Sequence, residues 1–184
     1  MPPDLLPQQP GLDTASVFRE HAAYVWRVLR RLGVHESDVE DVCQEVFVVI
    51  HRRLPDFEGR SAIRTWVYGI CVRTVSDYRK RAHRKRELVT DAPPEQTSNE
   101  DPHADLAARE ARRMLDDILS ELDEDKRAVF VLYEIESLTM NDVAEAVGCP
   151  LQTAYSRLHA ARALVTAAAR RGRESHERRE RRGP

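Results

Sequence analysis

The sequence predicts an all-α protein: two small helical domains joined by a flexible linker, the C-terminal one a helix-turn-helix. Three observations carry this expectation. Apolar residues recur at three- and four-residue intervals through most of the chain, the spacing of one helix face. Residues 88–104, LVTDAPPEQTSNEDPHA, break that pattern with three prolines and a polar, acidic composition. Residues 139–164, TMNDVAEAVGCPLQTAYSRLHAARAL, set a short helix, a Gly-Cys turn and a second helix in succession. A chain of 184 residues with 41% hydrophobic content and only seven glycines suits two such domains.

Residues 1–12 hold four prolines and are expected to be disordered. The first domain, 13–87, opens with a helix from about Thr14 to Leu32. Val17, Tyr24, Val25, Val28 and Leu29 form its apolar stripe, and Gly33 suits its stop. Ser37-Asp38-Val39-Glu40 reads as a capping box opening a second helix that runs to about Leu54, before Pro55. Val46–Ile50 alone resembles a strand. The longer pattern of Val39, Val42, Cys43, Val46, Phe47, Ile50 and Leu54 is helical, and its length decides. Pro55–Gly59 is a turn. Ser61 is a plausible N-cap for the third helix, whose first half places Ile63, Val67, Ile70 and Val75 on one stripe.

After the linker, the second domain spans 105–169. A helix over roughly 105–119 turns Leu106, Met114, Leu115 and Ile118 inward. Asp123 caps a helix over Glu124–Ile135. Thr139 and Asp142 resemble a capping box for a short helix ended by Gly148. Pro150 then sits in the first turn of a last helix reaching about Ala169. The remaining 170–184 is charged low complexity, read as a disordered tail.

Charge is segregated although the net charge is only −2. Residues 60–86 hold nine Lys/Arg against one acid, Asp77, with Trp66, Tyr68 and Tyr78 interleaved. Cations and rings on one helix suit a partner with phosphates and exposed bases. Residues 87–110 carry seven acids and one base, and no acid falls between Cys149 and Arg173. Two basic surfaces are thus separated by acidic material.

Other classes lack support. The start MPPDLLPQQPGLD has no basic region and no apolar core of a signal peptide, and no apolar run approaches about 18 residues. Cys43, Cys71 and Cys149 are widely spaced within apolar patterns, as free buried thiols of a reducing cytoplasm would be. The seven histidines form no H-x-x-x-H or His/Cys cluster, and there is no Gly-rich phosphate loop or G-x-S-x-G. No metal, cofactor or catalytic group is expected, and the chain is not read as an enzyme.

Two constellations remain. On the second helix, Asp41, Gln44 and Glu45 lie near one face with Phe47 flanking. Without a histidine or metal partner, this reads as a polar face for protein contact rather than an acid/base pair. In the helix-turn-helix, Gln152, Thr153, Tyr155 and Ser156 occupy the early positions that a recognition helix points at base edges. Arg157 and Arg162 are placed to reach phosphates.

With these residues in hand, the chain resembles a bacterial RNA polymerase sigma factor of the extracytoplasmic-function (ECF) group of the sigma-70 family. The resemblance spans about residues 15–168 and rests on four motifs in the family's order. Asp41-Val-Cys-Gln44-Glu45-Val-Phe47 matches the polymerase-contact segment D-x-x-Q-E-x-F. The stretch Phe57–Ile70 matches the promoter-melting segment. Asp77-Tyr-Arg79-Lys-Arg81 matches the basic helix that reads the −10 element. Leu119 through Arg162 matches the domain that reads the −35 element.

The resemblance implies a mechanism. Asp41, Gln44, Glu45 and Phe47 would dock on the clamp of core RNA polymerase. Phe57, Arg60, Ser61, Arg64, Trp66, Arg73, Asp77, Arg79, Lys80, Arg81 and Arg84 would engage the −10 element, capturing a flipped base near Phe57–Arg73 and holding phosphates beyond. The acidic linker would thread toward the RNA channel. The last domain would sit on upstream duplex beside the polymerase flap, and a cognate anti-sigma factor would silence the protein. The chain departs from the family at Arg73, where many members carry Asn, and at Gln152, Ala154, Tyr155 and Ala160, so no promoter sequence can be copied from a relative. The alternative reading is a dimeric helix-turn-helix regulator of duplex operators. A helical nuclease using Asp41 and Glu45 is a third.

Overall fold

The computed structural model describes residues 13–88 and 106–181. Seven α-helices follow in order: α1 Thr14–Arg31, α2 Val39–Arg53, α3 Ile63–Leu88, α4 Leu106–Ser120, α5 Glu124–Phe130, α6 Met140–Val147 and α7 Leu151–Arg181. Among the described residues there is no strand. The linker expected at 88–104 and the expected disordered N-terminus lie outside them, apart from Leu88, which ends α3.

Local chemistry sets most helix ends. The Asp13 carboxylate accepts from the Ser16 amide at 2.6 Å, and the Ser16 hydroxyl returns to the Asp13 backbone, a reciprocal cap for α1. Gly33 stops α1 at φ +93°, a left-handed conformation that glycine adopts without a Cβ clash. The Val34 amide reaches the Leu29 carbonyl and the Gly33 amide that of Arg30, which satisfies the last carbonyls of the helix. Gly148, at φ +67°, closes α6 with the same pair of bonds. Asp123 caps α5 and Thr139 caps α6 as their spacing predicts.

The cap expected at Ser37 does not form. Residues Glu36–Asp38 make a 3₁₀ turn, and α2 starts at Val39 with no side-chain cap. The Ser37 hydroxyl donates to the Asp38 carboxylate at 2.9 Å, and that carboxylate also accepts from the Tyr78 hydroxyl of α3 at 2.6 Å. A contact between helices thus replaces the local cap.

Helices α1, α2 and α3 pack about Val25, Val28, Val39, Val46, Ile50 and Val67, all fully buried. In the C-terminal half, α5, α6 and α7 close over Val129, Leu132, Val143, Ala154 and Ala161. Apart from Ala168, the buried apolar residues of both halves belong to one cluster. Helix α3 lies along α6, and Gly69 marks the close approach: a Cβ there would stand 3.4 Å from the Ala146 carbonyl oxygen.

Three features depart from the expected second domain. Helix α5 ends at Phe130, and Val131–Ile135 widens into a π turn in which the Glu136 amide bonds the Val131 carbonyl at 3.0 Å. Met114, expected to point inward, is exposed, while Leu115 and Ile118 are half-buried beside it. Helix α7 runs on to Arg181 instead of ending near Ala169, through a segment rich in arginine and glutamate, both good helix formers, with Gly172 within it.

Candidate nucleic-acid and polymerase interface

Helix α2 presents Asp41, Gln44 and Glu45 to solvent at i, i+3 and i+4, and Val48, 47% exposed, extends the same face by one turn. Phe47 points the other way. It is buried and meets the Phe18 ring edge-on at 4.7 Å between centroids. Glu45 is not isolated: one Arg81 nitrogen donates to both its carboxylate oxygens, at 2.7 and 2.9 Å. The polar face of α2 and the basic run of α3 therefore join at one ion pair.

The apolar start of the basic helix is built around two rings. Phe57 and Trp66 are both half-buried, with centroids 5.1 Å apart. Ser61 is half-buried between them in sequence, and the exposed Arg60 pairs with Glu58. Tyr68, whose ring the sequence pattern offers to bases, is instead fully buried, edge-on to Tyr24 at 4.6 Å. Its position on the helix turns it toward α1, away from any solvent-borne partner.

Further along, the cations divide. Arg73 is exposed, and partial burial together with nearby Arg53 lowers its guanidinium pKa. Lys80 pairs with Asp77 at 3.5 Å, one turn back, and Arg84 donates to the Lys80 carbonyl. Both are exposed. Arg64 and Arg79 differ. The Arg64 guanidinium lies over the Tyr24 ring at 4.8 Å and within 3.5 Å of Glu136. Arg79 donates to the Leu32 carbonyl and faces Glu124 at 3.7 Å. Two cations of the expected −10 surface are thus engaged by the C-terminal half. The side chains of Lys85 and Arg86 lie outside those described.

In the helix-turn-helix, Gln152, Tyr155 and Ser156 are exposed on α7, and Thr153 is half-buried. His159 shares this exposed face, three residues after Ser156 and four after Tyr155. The two arginines are tethered. Arg157 bonds Asp125 at 2.5 Å, and Arg162 bonds Glu134 at 2.6 Å while lying over the Tyr133 ring. Val48 and His159 escaped the sequence reading, although the i+3/i+4 periods that placed Gln44, Glu45, Tyr155 and Ser156 also reach them. Among the described residues no group of three or more His, Cys, Asp or Glu is arranged to hold a metal. Nor is any helix among them long and apolar enough to cross a membrane.

Comparison with known proteins agrees with this layout. Residues 17–85 match the family model of sigma-70 region 2, and residues 112–165 that of sigma-70 region 4. The ECF RNA polymerase sigma-E factor of Haemophilus influenzae is 32% identical over 142 residues, covering 72% of this chain and 75% of that one. The sigma-E factor of Escherichia coli K12 is 30% identical over the same length, covering 72% and 74%. Among solved structures, RpoE of Bartonella quintana, in complex with the anti-sigma factor NepR, superposes with a TM-score of 0.63 at 21% identity, covering 83% of this chain and 96% of that one. CnrH, in complex with the cytosolic domain of CnrY, gives 0.62 at 24% identity, covering 84% and 85%. Neither the dimeric regulator nor the nuclease is favoured by these matches. With a region 2 that carries the α2 face and the basic helix, and a region 4 that carries the helix-turn-helix, the chain belongs to the extracytoplasmic-function sigma factors of the sigma-70 family.

Proposed function

We propose that this sigma factor docks on core RNA polymerase through the solvent face of α2, engages the −10 element through α3, and reads the −35 element through the start of α7. The observation that supports this most is the division of polar surface. Asp41, Gln44 and Glu45 stand free of the apolar core on α2, while Gln152, Tyr155 and Ser156 stand free of it on α7. Polar side chains that contribute nothing to the core are available to partners. Phe47 supports the α2 face from beneath, by packing on Phe18, rather than by touching polymerase.

Phe57 and Trp66 form a ring pair at the head of the basic helix, a suitable platform for an unstacked base. Arg60, Ser61 and Arg64 lie between the two rings in sequence and Arg73 beyond them, and Asp77, Arg79, Lys80, Arg81 and Arg84 continue the run toward the phosphates. On α7, Thr153 and Arg157 serve the same groove as Gln152, and Arg162 anchors the backbone. The domain bounds proposed are 13–87 and 105–169, with the acidic 88–104 as connector.

The protein acts as an initiation subunit in the cytoplasm and carries out no chemistry of its own. An anti-sigma factor is its proposed regulator, by analogy with the partners of the solved relatives. Run-off transcription with purified core polymerase and fragmented genomic DNA tests the whole reading. Discrete transcripts that need this protein are expected; transcripts that are the same with and without it would refute the reading.

A further inference from the structure

Helix α7 carries more surface than −35 recognition uses. On its inner side Ala154, Leu158, Ala161 and Ala168 are buried. One turn later Arg171 pairs with Glu121, which follows α4, and ties the helix down again. The segment after Ala169 is therefore anchored at its root, and the domain sets its direction.

The outer side keeps one period throughout. Gln152, Ser156, His159, Ala163, Thr166 and Arg170 follow one another at steps of four and three, and all are exposed. Arg170 comes about five turns after Gln152, at ~3.6 residues per turn, and so points the same way. Arg173 lies one turn further on and is also exposed. No acid occurs from Ala146 to Arg173. Neither Arg170 nor Arg173 has an ion-pair partner among the described residues, in contrast to Arg171. Acids resume at Glu174.

Length decides what this end of the face can touch. Gln152 to His159 spans about 10 Å of helix axis at ~1.5 Å per residue, close to the ~12 Å width of a major groove. Arg170 stands about 27 Å beyond Gln152, outside a groove that holds the first turns. What borders a groove is sugar and phosphate, and an unpaired guanidinium suits a phosphate.

We propose that Arg170 and Arg173 form a second, sequence-independent contact of α7, on the phosphate backbone of the promoter duplex flanking the −35 element. This rests on the assignment of the start of α7 to −35 reading. The contact fixes the angle at which the first turns enter the groove, and it adds affinity without adding base choice. The DNA-binding surface of α7 thus extends to Arg173, and the glutamates from Glu174 onward mark where it stops.

The test uses the full chain bound to core polymerase, on a promoter from which it initiates. Arg170→Ala/Arg173→Ala, Arg170→Lys/Arg173→Lys and Gln152→Ala are compared with the parent. Alanine and lysine both favour a helix, so lost binding does not reflect a lost α7, and circular dichroism checks this. The alanine pair is expected to lose at least about fivefold in promoter affinity in low salt. Its slope of log affinity against log salt should be shallower by nearly two. The lysine pair is expected to keep the slope, and neither pair to change the preferred −35 bases.

An unchanged slope in the alanine pair would overturn the proposal, as would a shifted base preference or a lysine pair that behaves like alanine. Weaker capture of core polymerase without DNA, with the promoter slope intact, would overturn it in favour of an acidic protein surface. If Gln152→Ala leaves promoter affinity untouched, it is the assignment of α7 to the −35 element that fails. A parent that initiates at no promoter refutes the sigma-factor reading itself, and these two arms separate the failures.

Discussion

The Tyr68 hydroxyl donates a 2.7 Å hydrogen bond to the Glu136 carboxylate, joining two residues 68 positions apart in opposite halves of the chain. Both are buried, so the bond is shielded from water, and Arg31 and Arg64 complete the coordination of the same carboxylate. Tyr68→Phe keeps the ring and its packing on Tyr24 but removes one donor from a buried charge. The expected cost is about 1.5–3 kcal/mol in denaturant unfolding. An unchanged midpoint and slope would show that the carboxylate is satisfied without Tyr68.

Charge reversal at Glu45 separates binding from folding. Its pairing with Arg81 is half-exposed on both sides and is worth no more than about 1 kcal/mol. Glu45→Lys should therefore weaken capture by core polymerase while the melting temperature stays close to the parent's. A large loss of helical signal would place Glu45 in the structural framework instead.

On α7 the prediction concerns base choice. Gln152→Ala should alter the preferred upstream base, at a cost of roughly 1–3 kcal/mol at one position, because a glutamine amide can bond an adenine edge bidentately. Arg162→Ala should weaken all sequences about equally. It loses its bond to Glu134 and its place over Tyr133 as well as a positive charge near the backbone. Selection from a randomised upstream library with each variant decides, and the opposite pattern would put the helix in a different register.

Salt should act strongly on promoter binding by the protein in complex with core polymerase. If the basic run of α3 and the start of α7 neutralise about six phosphates, log affinity falls with log salt at a slope of about −5 relative to core polymerase alone. Lys80→Ala with Arg84→Ala, both exposed, should make that slope shallower by nearly two. A slope untouched by the double substitution would remove this stretch from the interface.

Two glycines should respond to alanine with opposite sign. At Gly33 the φ of +93° is strained for any residue with a Cβ, and that Cβ would overlap the guanidinium of Arg127. Gly33→Ala should cost at least about 1–2 kcal/mol. Gly172 lies within α7 with open space around it, and alanine there should stabilise the helix by up to about 1 kcal/mol. Thermal unfolding of both variants is the check; a shift of the same sign in each would contradict the local reading.

What the sequence by itself determined is local. The apolar stripes of α1, α2 and α3, the caps at Asp123 and Thr139, and the stops at Gly33 and Gly148 follow from 3.6-residue periodicity and from side chains bonding amides within one turn. The Asp41–Glu45 face and the polar start of α7 were legible for the same reason, since exposure on an amphipathic helix is also periodic. Only the tertiary structure decided which groups meet across the chain. Asp38 forgoes the expected cap geometry for Tyr78, Tyr68 turns from the basic surface into the core, and Arg64 and Arg79 each face a carboxylate of region 4, Arg79 while also bonding the Leu32 carbonyl. Nothing in the spacing of Glu136 announces this, because a carboxylate's partners depend on how two helices approach each other. That approach brings the α6 backbone at Ala146 against α3 at Gly69.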